Sequence, residues 1–68
     1  MVFEIRTTGE EKKSFGNLTY KEALETLINE EWYARKKGFD ILESDGNKLI
    51  FKNEKNENIV IEIFQKES

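Results

Sequence analysis

The stretch T-Y-K-E-A-L-E-T-L-I-N-E-E-W-Y-A-R-K-K-G, residues 19–38, decides how this chain folds, because both of its ends carry helix punctuation. Thr19 and Glu22 match a capping box. The Thr19 hydroxyl can accept from the Glu22 N–H while the Glu22 carboxylate reaches back to the Thr19 N–H. Leu18 stands just before the cap, placed to staple onto Ala23. At the far end Arg35, Lys36 and Lys37 suit the negative pole of a helix, and Gly38 suits the left-handed position that ends one. The spacing predicts a helix from Tyr20 to Lys37.

Taking Tyr20, Ala23, Leu24 and Leu27 as the buried stripe puts Ile28 and Trp32 along one edge of it. Neighbours on a helix point about 100° apart, so Trp32 and Tyr33 cannot share one buried face. Trp32, the sole tryptophan, is expected to close the core margin like a lid. Tyr33 falls nearly opposite, near Glu22, Thr26 and Asn29, and is expected to face solvent as a partner contact. Glu31 lies near the middle of the stripe. A buried carboxylate needs a partner, so it is expected to snorkel to water or to pair with Arg35 four residues on.

Strands flank the helix. Phe3 and Ile5 with Phe15 suggest an N-terminal hairpin. After the helix, E-S-D-G-N fits a three-residue loop with Gly46 left-handed, which sets Phe39 opposite Phe51 and Ile41 opposite Leu49. N-E-K-N-E fits a second such loop with Asn56 left-handed, which sets Phe51 opposite Ile59 and Leu49 opposite Ile61. The expected fold is α+β, in the order β-β-α-β-β-β: one helix on one face of a mainly antiparallel sheet, with the first strand beside the last. This hairpin–helix–meander order resembles a β-grasp layout with an extra strand, in topology alone.

The same register assigns the other face of the sheet. It carries Leu42, Ile50, Val60 and Phe64, with Val2 nearby. Ile50 opposes Val60, and Lys48 opposes Glu62 as an opposite-charge pair. Four apolar side chains on a face that one helix cannot cover are expected to form a contiguous interaction patch.

The totals bound the rest. Sixty-eight residues make a single domain, and 37% hydrophobic content suffices for a small core. There is no cysteine and no histidine, which removes disulfides and the usual structural zinc ligands. No metal or cofactor site is expected. Without Cys or His, acid–base chemistry would fall to carboxylates, lysine or tyrosine, and no nucleophile has a usual base. A non-enzymatic domain is therefore expected. The start M-V-F-E-I-R lacks a signal-peptide pattern and no apolar run approaches bilayer length, so a soluble cytoplasmic protein is expected.

Net charge is −3, the wrong sign for a typical nucleic-acid binder. The alternative of a nucleic-acid module rests on Trp32, Tyr33, Arg35, Lys36 and Lys37, which combine stacking surfaces with positive charge. Abundant Lys, Asn, Ile and Glu fit AT-rich coding, as in a low-GC bacterium or its phages, and a small accessory protein of a mobile element suits that composition. The leading expectation is a protein-interaction domain, self-associating or binding a host protein, through Tyr33, Trp32, Leu42, Ile50, Val60 and Phe64.

Overall fold

The computed structural model describes residues 1–66. Two strands, β1 (Val2–Gly9) and β2 (Lys13–Leu18), precede the helix α1 (Tyr20–Lys36). Three more follow: β3 (Asp40–Asp45), β4 (Lys48–Lys52) and β5 (Asn58–Lys66). The strands form one sheet in the order β2-β1-β5-β4-β3, and every neighbouring pair is antiparallel. The first strand lies beside the last, so the sheet's two halves join through the β1–β5 pairing and its edges are β2 and β3.

Helix α1 starts where its capping box starts it. The Thr19 hydroxyl accepts from the Glu22 N–H at 3.2 Å, and the Glu22 carboxylate accepts from the Thr19 N–H at 2.9 Å. The last turn closes on Lys37, and Gly38 takes a φ of 91°, which only glycine adopts without cost.

The β4–β5 connection follows the expected pattern. Asn56 is left-handed at φ 65°, and the register sets Phe51 opposite Ile59 and Leu49 opposite Ile61. The Asn53 side chain fixes the loop: its Oδ1 accepts from the N–H groups of Lys55 and Glu57, each at 3.0 Å.

The β3–β4 connection departs from it. Asp45 pairs with Lys48, leaving a two-residue loop of Gly46 and Asn47, with Gly46 at φ 49° in the first loop position. A loop one residue shorter would flip the side-chain parity of β3. A β-bulge between Ile41 and Glu43 absorbs the difference, so Ile41 still shares a face with Phe51. Phe39 consequently precedes β3 instead of pairing with Phe51, yet it remains buried.

The core lies between α1 and the sheet. Ile5, Phe51, Ile59 and Ile61 come from the strands, Ala23 and Ala34 from the helix, and Phe39 from the connection after it. Phe3, Phe15, Leu18, Leu27, Leu49 and Ile63 pack around them. The closest backbone neighbours of α1 are β1, β5 and β2. A helix about 10 Å across covers roughly two strands spaced 4.8 Å apart, so one helix cannot roof five. On the far side the sheet is uncovered only along β3, where all six residues are exposed; on β4 Phe51 is fully buried and Leu49 half-buried.

Candidate interaction surface

Side chains at the helix–sheet contact show which way α1 is rotated. Ala23, Leu27, Glu30 and Ala34, at spacings of four, three and four, form the inward stripe. The two alanines let the helix approach the sheet closely. Glu30 is tolerated because partners wait for it: the Thr7 hydroxyl donates to Oε1 at 3.3 Å, and the Lys13 Nζ lies 3.4 Å from the same oxygen. No buried side-chain nitrogen or oxygen lacks a partner among the described residues.

The inward carboxylate is thus Glu30 and not its neighbour. Glu31 lies on the flank, where Arg35 donates to it from Nε and Nη2 at 3.3 and 3.1 Å, the i,i+4 pairing expected of it.

This rotation overturns the expected place of Trp32 and moves Tyr33 from the outer face to a flank. Trp32 is 68% exposed and faces away from the sheet, roughly opposite the inward stripe; it closes no part of the core. Tyr33 is the more covered of the two, though still 40% exposed. It lies on the flank facing β2, where the Lys13 Nζ is 3.8 Å and the Lys37 Nζ 4.6 Å from its ring centroid. Lys37 in turn bonds Glu11 in the β1–β2 connection. Its hydrogen bond holds the Glu11 carboxyl below the ordinary value. Glu11, with a smaller contribution from Tyr33, holds the Lys37 ammonium above its own. Tyr33 is therefore the centre of an internal strap tying the end of α1 to the first hairpin.

Tyr33 marks the β2 side of the helix, so the opposite flank is turned toward the β4 and β3 side, and Glu31 and Arg35 lie on it with their ion pair. That flank and the top of α1 carry Leu24, Ile28 and Trp32, spaced by four residues and 40%, 52% and 68% exposed, with Tyr20 one turn earlier. Residues four apart form a continuous ridge on a helix. Ile41 and Leu42 on β3 add two more exposed apolar side chains at the uncovered edge of the sheet. The sequence pattern contained this ridge, but Leu24 and Tyr20 read there as core because they extend the apolar stripe of Ala23 and Leu27.

The outer face of the sheet is arranged differently from expectation. Ile50 does oppose Val60, and Lys48 does oppose Glu62. The register, however, continues that charged pair into a row across four strands: Arg6 opposes Glu62, Glu62 opposes Lys48, and Lys48 opposes Asp45. Signs alternate along the row, which runs between Val60–Ile50 and Phe64. Beyond it, the Arg6 guanidinium carbon sits 4.8 Å from the Phe64 ring centroid. Opposite Phe64, Glu4 bonds both Arg6 and Lys66, and those bonds, Lys66 first, hold its carboxyl below the ordinary value. Leu42 lies in the bulge at the exposed edge. Leu42, Ile50, Val60 and Phe64 do not make one contiguous patch; Ile50, Val60 and Phe64 are half-buried, and a charged row divides them.

Among the described residues, no group of three or more acidic side chains is placed to hold a metal ion, and no helix is long and apolar enough to cross a membrane. Comparison with protein-family models, with curated proteins and with solved structures returns no match.

Proposed function

We propose that this chain is a small non-enzymatic interaction domain that recognises protein, and that it does so through the helix ridge rather than the outer sheet face. The observation that carries this reading is the line of exposed Leu24, Ile28 and Trp32 on α1. Single exposed apolar residues are ordinary. Three spaced by four, continued by Tyr20 at one end, make a surface whose burial is worth about 1.5–3 kcal/mol per fully covered side chain. A helix offering such anchors is one of the common ways that proteins recognise each other.

Binding of nucleic acid through the basic helix end is the second reading. Two of its three cations are already held, Lys37 by Glu11 and Arg35 by Glu31. Two ammonium groups occupy the surroundings of the Tyr33 ring that a base would stack on.

Affinity capture from native cells, with wild type, Ile28→Glu and Val60→Glu as baits, tests the reading alongside a measurement of self-association. The ridge predicts protein association that Ile28→Glu abolishes and Val60→Glu leaves intact. Association unaffected by Ile28→Glu, or none at all with wild type, would reject it.

A further inference from the structure

The outer face of the sheet carries its charges in an order, and the order stops at β3. Along the row Arg6–Glu62–Lys48–Asp45 the signs alternate, so Glu62 stands between two cations. Asp45 has Lys48 on one side and the open edge of the sheet on the other. The pairing of Lys52 with Asp40 ends in the same way, with the acid outermost. Glu43, opposite Ile50, adds a third carboxylate to this side of β3. Among the described residues none of the three forms an ion pair; the acids that do are Glu4, Glu11, Glu30 and Glu31.

The edge itself is open. β3 is the last strand of the sheet, and all six of its residues are exposed. Among the described residues its backbone makes no hydrogen bond outside the ladder with β4. Such an edge is a row of unpaired N–H and C=O groups that can receive one more strand. On the helix side it shows Ile41 and Ser44 and no charge.

We infer that β3 receives an added strand from a basic, extended segment of another protein, in which Lys or Arg alternates with apolar residues. The cations fall on the outer side, where they carry the alternating rows on past Asp45 and Asp40. The apolar residues fall on the helix side, beside the exposed Ile41. Strand addition takes its affinity from main-chain hydrogen bonds and its specificity from alternate side chains, and here the carboxylates decide which strand is admitted. This surface goes beyond the helix ridge, which takes no part in it.

The same charges decide against a second copy of this chain. Two β3 edges in contact would bring Asp40, Glu43 and Asp45 of both together, and like charges across a ladder repel. The other edge, β2, carries Lys13 but is irregular: its pairing with β1 shifts between Phe3 and Ile5, and Asn17 stands left-handed at φ 56°. β3 has a bulge of its own at Leu42, which divides the edge into Asp40–Ile41 and Glu43–Asp45. The added strand pairs along Glu43–Asp45, the longer regular piece.

An NMR titration of the isotope-labelled full chain with a short synthetic peptide of alternating lysine and valine tests the inference. The expected result is a set of amide shifts and slowed amide exchange at Glu43, Ser44 and Asp45 and their partners on β4, with affinity that falls as salt rises. Glu43→Gln combined with Asp45→Asn, at two exposed positions, is expected to weaken binding about fivefold or more. The same peptide N-methylated at every backbone amide keeps its charge, loses its donors, and is expected not to bind. No binding of the lysine–valine peptide at millimolar concentration overturns the inference. So does equal binding of the N-methylated peptide or of a glutamate–valine peptide, an unchanged affinity in the double variant, or shifts that fall on β2 or α1 instead of β3.

Discussion

Lys13 of β2 and Glu30 of α1 meet across the helix–sheet contact, with Nζ 3.4 Å from Oε1, and the same ammonium lies 3.8 Å from the centre of the Tyr33 ring. This contact goes with the rotation of α1 that its inward stripe sets, with Glu30 inward, Tyr33 toward β2, and Trp32 away from the sheet.

Because Glu30 is buried and Lys13 is its only cation among the described residues, Lys13→Met leaves the carboxylate with Thr7. Denaturant unfolding is expected to show a loss of roughly 1–3 kcal/mol. Adding Glu30→Met to the same chain is expected to recover most of that loss, since apolar residues of similar volume can replace a buried pair at little cost. Losses that simply add would show that the two side chains are not coupled.

The two aromatics Phe51 and Trp32 are expected to differ sharply. Phe51 is fully buried at the centre of the core, so Phe51→Ala is expected to cost about 3–5 kcal/mol. Trp32→Ala, measured where the chain is monomeric, is expected to stay within about 0.5 kcal/mol of wild type. A large loss at Trp32 would mean that the side chain packs on its own core.

Thr19→Ala removes the hydroxyl that accepts from the Glu22 N–H and is expected to cost about 1 kcal/mol. Thr19→Ser is expected to retain most of it. Equal losses from both would assign the effect to the β-branched side chain and not to the cap.

Glu4, Glu11 and Glu22 all have carboxyl groups held below their ordinary value of 4.5, by Lys66, Lys37 and the Thr19 N–H respectively. In the unfolded chain these groups take up protons first as pH falls. Their stabilisation is therefore complete above the ordinary value and is lost as pH drops through the lowered ones. Lys37 runs the other way: raised above 10.5, its contribution is complete below that value and is lost as pH rises past the raised one. In melting curves across pH, Glu11→Gln is expected to lie below wild type at neutral pH and to converge with it in acid. A gap that stays constant through acid would remove the Glu11–Lys37 pair as its cause.

Local signals in this chain were readable and one long-range signal was not. Thr19 with Glu22, Gly38 and Asn56 each specify backbone geometry within a few residues, and each does in the structure what its chemistry implies. The strand pairings Phe51–Ile59 and Lys48–Glu62 follow from the Asn56 loop by counting. The inward place of Glu30 is met by Thr7 and Lys13, residues 23 and 17 positions away in sequence. Hydrophobic periodicity centres the stripe between Ala23, Leu24 and Leu27, which puts Glu31 instead of Glu30 inside it and Trp32 at its edge. The β3 register failed for a related reason: parity alone favours a three-residue loop, whereas a two-residue loop plus a bulge satisfies the same parity.

The orientation of α1 carries the functional account, and Trp32 reports it directly. The measurement is Trp32 emission in dilute Ile28→Glu protein, native and unfolded, with acrylamide quenching of both. The account predicts a native emission maximum close to that of the unfolded chain and nearly equal quenching. A blue-shifted native emission that moves red on unfolding, with protection from acrylamide, would place Trp32 against the core and contradict it.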